Sequence, residues 1–147
     1  MEDEMKKLFP GELLELLANV AFVGIERGYF KEAESIFSVL VEARPHNINA
    51  KIAQAMGELM MCHVTNATKL LMACLQEDPQ NETIKGFLTI ALKMGKVDQE
   101  AIGLSNHILK HCKNPDTRSI AKGILDSYKN SITLHKLHAE QCQQVHS

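Results

Sequence analysis

The sequence predicts an all-α protein, a short solenoid of about three helical hairpins closed by a capping helix, and two observations predict it. The first is a recurrence at a spacing of 34 residues: Ala33 is matched by Ala67 and Ala101, Phe37 by Leu71, and Pro45 by Pro79. The second is a break in the middle of each recurring unit, at Gly28, Cys62 and Gly95, flanked by apolar residues at helical spacing. A unit of that length, with a tight turn at its centre and proline at its end, is a pair of helices. Such a pair cannot bury its apolar face alone and does so by stacking on the next pair.

In chain order, the charged residues 1–11 end at Phe9-Pro10-Gly11, where Pro followed by Gly predicts a lead-in turn. A helix over 12–27 carries Leu13, Leu17, Val20, Ala21 and Ile25 on more than one face, so it packs on both sides. Gly28 ends it, because glycine enters the left-handed region without steric cost, and the chain reverses into a helix carrying Ala33, Ile36, Phe37 and Leu40. Asn47 and Asn49 are candidate caps for a helix over 48–62, whose partner over 66–77 presents Ala67, Leu71 and Cys74.

The third hairpin, 82–94 and 98–110, has Ala101 in register but a looser pattern. Gly95 lies six residues before Ala101, where Gly28 lies five before Ala33, and Pro115 stands 14 beyond Ala101 instead of 12. A helix over 117–130 with Ile120, Ala121, Ile124, Leu125 and Tyr128 suits a cap for the open end of the stack. Residues 131–147, rich in Gln, His and Ser, read as a terminal extension that begins as helix and ends as a fraying tail. The chain thus divides into a charged lead (1–11), one repeat domain (12–130) and the extension (131–147).

Composition narrows the function. A net charge of -2 lacks the basic excess of a phosphate-tracking surface, and 5% aromatic content with no tryptophan argues against a base-stacking platform, so nucleic acid is not an expected partner. Four scattered cysteines without a CxxC pair read as reduced thiols. The acidic start has no secretory-signal pattern, and no window reaches ~20 apolar residues, so the expectation is a cytosolic protein without a membrane span.

Chemistry is not expected. His107 and His111 with Cys112, and His135 with His138, share helical faces, but neither set supplies the three or four ligands a zinc site uses. Cys62-His63 and His111-Cys112 are sequence neighbours that do not face each other on a helix, as a nucleophile and its base must. With no GxSxG, phosphate-binding glycine loop or HExxH, neither enzyme activity, metal nor cofactor is expected.

The 34-residue pattern is that of the tetratricopeptide repeat (TPR), in which the first helices of successive hairpins line a concave groove. Counted from the turns, the groove positions include Phe22 and Ile25, then Ile52, Met56, Leu59 and Met60, then Ile90 and Met94. These eight form the candidate partner-binding set. A groove that holds an acidic C-terminal peptide, as in Hsp90-binding TPR domains, uses Lys, Arg and Asn where Phe22 and Met56 stand here. Flexible methionines in an apolar groove suit the apolar face of an amphipathic helix.

The segments Leu16-Leu17-Ala18-Asn19-Val20-Ala21-Phe22-Val23-Gly24, Lys31-Glu32-Ala33-Glu34-Ser35-Ile36 and Asn114-Pro115-Asp116-Thr117-Arg118-Ser119-Ile120 resemble the small TPR chaperones of type III secretion needle subunits, of the YscG and PscG kind. The resemblance spans about residues 13–130. It implies a cytosolic bacterial chaperone that grips the amphipathic helix of a needle subunit and prevents premature polymerisation, together with a small helical co-chaperone. The longer lead and the extension depart from that pattern. A TPR chaperone of translocator proteins, a general TPR adaptor, and a free protein that dimerises through its groove remain open alternatives.

Overall fold

Gly28, Cys62 and Lys96 are the residues that reverse the chain, and all three have positive φ, at 84°, 63° and 58°. The computed structural model describes residues 4, 7 and 10–145, which include seven principal helices: α1 (Gly11–Glu26), α2 (Phe30–Ala43), α3 (Ile48–Met60), α4 (Val64–Glu77), α5 (Glu82–Met94), α6 (Asp98–His111) and α7 (Pro115–Val145). Most of the charged lead over 1–11 lies outside the described residues.

Each turn is closed by the same pair of hydrogen bonds. The N–H groups of Gly28, Cys62 and Lys96 donate to the carbonyls of Ile25, Leu59 and Lys93, and those of Tyr29, His63 and Val97 donate to Gly24, Glu58 and Leu92 at 2.8–2.9 Å. This double bond pattern around a left-handed residue satisfies carbonyls that a helix end otherwise leaves open. The third turn therefore centres on Lys96, while Gly95 stays right-handed at φ -77°. The expectation of a looser third hairpin is corrected: Gly28, Cys62 and Lys96 are 34 residues apart, each five before its alanine. Because a lysine side chain crowds the left-handed conformation, Lys96→Gly should raise stability by about 0.5–1 kcal/mol after glycine's entropy cost; paired urea melts of the two proteins check this.

The register also explains the core. Ala33, Ala67 and Ala101 are buried where the two helices of each hairpin meet, and Phe37, Leu71 and Ser105 are fully buried one turn further on. Phe37 is accommodated by Gly57 of the next hairpin: a Cβ at Gly57 would lie 2.4 Å from the Phe37 ring. Ser105 fills the third large-apolar position, and its hydroxyl has no hydrogen-bond partner. A buried hydroxyl left unpaired is costly, so Ser105→Ala should stabilise the fold by about 1 kcal/mol, read as a rise in the denaturation midpoint.

Asparagine opens the first helix of each later unit. Asn47 Oδ1 accepts from Asn49 N–H, Asn81 Oδ1 from Ile84 N–H, and Asn114 Oδ1 from both Asp116 and Thr117 N–H. Of the two candidate caps at 47 and 49, Asn47 is the one used. Pro115 lies two residues later than its counterparts because it has become the first residue of α7, where its missing N–H leaves nothing unsatisfied.

The linker before α7 is held by Glu82, whose carboxylate accepts the backbone N–H groups of Lys113 and Asn114. Those N–H groups lower its pKa below the usual 4.5. The sign follows from linkage: the contribution is present above pH 4.5 and is lost as pH falls through the lower folded-state value. The stability difference between wild type and Glu82→Gln, measured by chemical melts at successive pH values, should therefore shrink in acid below pH 4.5.

α7 occupies the place of the next repeat's first helix and runs unbroken to Val145. The extension is thus helical over its described residues, 131–145. The start of the extension does mark a change in packing, since every residue from Lys129 to Val145 is exposed. The last anchor is Tyr128, whose hydroxyl donates to Asp98 Oδ1 at 2.6 Å while the Lys93 ammonium sits 3.4 Å from its ring centroid. Burial and the Asp98 carboxylate push the phenol pKa up to about 12, so the donor stays protonated across the neutral range.

Candidate protein-binding groove

The first helices α1, α3 and α5 carry the groove positions, and the structure divides the eight expected residues into two groups. Ile25, Ile52 and Leu59 are buried, at 6–7% exposure, in the packing between helices. For these three the core is the correct place in the free protein: each lies on the edge of the groove face that turns toward its hairpin partner or neighbour. Phe22, Met56 and Ile90 are half-buried, and Met60 and Met94 are exposed at 42% and 41%.

Two rows result. Phe22, Met56 and Ile90 are spaced by 34 residues and so take the same position on successive helices; Met60 and Met94 do the same one turn further on. Phe22 is held in place by the core beneath it, its ring 5.1 Å from that of Phe37 and tilted by 57°.

At the α1 end the groove opens into a recess of about 320 Å³ between α1 and α3, with Arg44, the residue that follows α2, at its wall. Ala18, Ala50 and Ala53 leave the space, while Glu15 and Asn49 give it a polar edge. The sequence pattern did not show the recess, which exists because small side chains from two helices line it together. At the other end α7 closes the face. A Cβ on Gly86 would touch Thr117 and Ile120 at 3.4–3.5 Å, and Lys93 is engaged by Tyr128.

Two further surfaces were not found from the sequence. A cleft of about 510 Å³ between α4, α5 and α6 is lined by Glu82, Lys85, His107 and His111. Burial, then the Lys85 and His111 charges, lower the His107 pKa below the usual imidazole value. The second surface is the row Leu16, Val20 and Val23 on α1, exposed at 49–59%. Their counterparts two repeats on, Ile84, Leu88 and Ala91 of α5, are buried in the stack. The repeat register would have identified this row as the stacking face of the first hairpin.

No protein-family model matches the sequence, and no curated protein does. The fold is similar to solved TPR structures. The Arabidopsis OM64 TPR domain matches with a TM-score of 0.61 at 14% identity, over 79% of this chain and 97% of that one. The Yersinia enterocolitica type III secretion translocator chaperone SycD matches with 0.64 at 12%, over 86% and 95%. The first TPR of Spaghetti (RPAP3), solved with an HSP90 peptide, matches with 0.62 at 12%, over 82% and 97%. At such identities the likeness concerns the fold: this chain is a TPR-like helical solenoid. None of its described helices is long and apolar enough to cross a membrane.

Proposed function

We propose that this protein is a non-enzymatic cytoplasmic chaperone that sequesters the amphipathic helix of a self-assembling subunit in its groove, the subunit being of the type III secretion needle kind. The observation that carries the reading is the pair of accessible apolar rows, Phe22–Met56–Ile90 and Met60–Met94, on the concave helices. Methionine side chains adapt to differently shaped apolar partners, and apolar rows carried across successive helices suit the apolar face of an amphipathic helix. The resemblance of the first hairpin and the α6–α7 junction to needle-subunit chaperones supports the choice of partner. A small helical co-chaperone belongs to the same reading.

A chaperone of the larger translocator proteins is the second reading, favoured by the fold likeness to SycD. Co-expression separates the two. A stable complex with a needle-sized helical subunit supports the first, and capture of translocator-type proteins alone replaces it with the second.

A further inference from the structure

Beside the turn between α3 and α4, Glu34, Glu58 and His63 bring three metal-ligating side chains to one point. His63 Nδ1 lies 3.0 Å from Glu58 Oε2 and 3.6 Å from Glu34 Oε1, and one ligand atom from each residue falls within 4.8 Å of the other two. Around a tetrahedral zinc-class ion, with bonds of about 2.0–2.2 Å to nitrogen and oxygen, ligand atoms sit ~3.4 Å apart. The side chains need only small rotations to reach that spacing.

The three come from separate parts of the fold: Glu34 from α2, Glu58 from α3, and His63 from the cap position of α4. The backbone fixes two of them relative to each other, since the Glu58 carbonyl accepts the His63 N–H at 2.8 Å in the turn. The arrangement is also peculiar to the middle hairpin. At the positions of Glu58 and His63 the first hairpin has Gly24 and Tyr29 and the third has Leu92 and Val97; at the position of Glu34 the later units have Thr68 and Ile102. The repeat alone thus does not produce the cluster.

Its environment fits a ligand set. The Glu58 side chain is only 14% exposed, and the Asn66 amide donates to its Oε2 at 3.5 Å, which limits its rotation. His63 and Glu34, at 46% and 44%, leave the outer side open for water to complete the coordination. We propose that Glu34, Glu58 and His63 form a binding site for a divalent transition-metal ion of the zinc class. An imidazole ligand selects such an ion over calcium or magnesium, which take oxygen ligands. The ion would replace the proton between His63 Nδ1 and Glu58, and would tie the first hairpin to the second.

The test uses the full chain stripped with a chelator, titrated with Zn²⁺ by calorimetry and with Co²⁺ by visible absorption. Wild type is compared with His63→Ala, with Glu34→Gln, and with the control His107→Ala/His111→Ala. The expected result is one ion per chain, an affinity at least ~10-fold weaker in either site variant, and no change in the control. Zinc should also raise the Tm of wild type and of the control, but not of His63→Ala. Should His63→Ala fail to fold, Glu34→Gln, altered on the open side of the site, gives the same reading. Absence of binding, equal binding by the site variants, or loss of binding in the control would each overturn the proposal. None of these outcomes depends on whether the groove binds a helix.

Discussion

Phe37→Ala is expected to lower the unfolding free energy by about 3–5 kcal/mol, the usual cost of removing a large aromatic from a tightly packed interior. Phe37 is the largest fully buried side chain among the described residues, and it joins α2 to both neighbours: its ring packs on Phe22 of α1 and fills the space that Gly57 leaves on α3. With domain stabilities of only 5–15 kcal/mol, a loss of this size brings the protein close to unfolding. Gly57→Ala gives the complementary result. Alanine is better than glycine in a helix by about 1 kcal/mol, but its Cβ would sit 2.4 Å from the Phe37 ring. The overpacking cost of ~1–3 kcal/mol should prevail. In the Phe37→Ala background the clash is absent, and Gly57→Ala should become neutral or stabilising. Chemical melts of the four proteins form a double-mutant cycle; an additive result would show that Phe37 and Gly57 do not share one packing site.

The second large effect concerns binding. Met60→Glu and Met94→Glu, each alone, are expected to weaken association with an amphipathic helix by about tenfold or more, because the acid must be desolvated against an apolar face. Both methionines are more than two-fifths exposed in the free protein, so the melting temperature should barely move. Leu59→Glu should do the reverse. Its side chain lies in the central core, and a charge there costs stability before any partner is present. Calorimetric titration with a needle-type helix, paired with a thermal melt of each variant, tests the distinction. A large fall in Tm for Met60→Glu with unchanged affinity would place Met60 in the packing and remove the main support for the groove.

An equivalent charge on the Leu16–Val20–Val23 row separates a second use of the surface from this one. A variant there that leaves helix binding intact but alters self-association would assign that row to contacts between copies.

The all-α solenoid was legible in the residues because its determinants are local and repeat. Alanine at 33, 67 and 101, the large apolar residue one turn later in the first two units, and the asparagine cap before the second unit are set by helix periodicity and capping, which need no knowledge of the rest of the chain. The same spacing placed the candidate groove positions on α1, α3 and α5. It did not separate groove from core within that face. Ile52 and Met56 are both apolar and one turn apart, yet Ile52 is buried and Met56 is half-exposed, because the neighbouring helices cover one edge of α3 more than the other. The left-handed lysine at 96 was likewise hidden: local preference points to Gly95, and the hairpin's packing around Ala101 imposes the strain one residue later. The recess beside Ala18, the closure of the groove by α7 over Gly86, and the meeting of Glu34, Glu58 and His63 were decided by tertiary structure alone, since each depends on side chains from different helices whose distances are set by stacking.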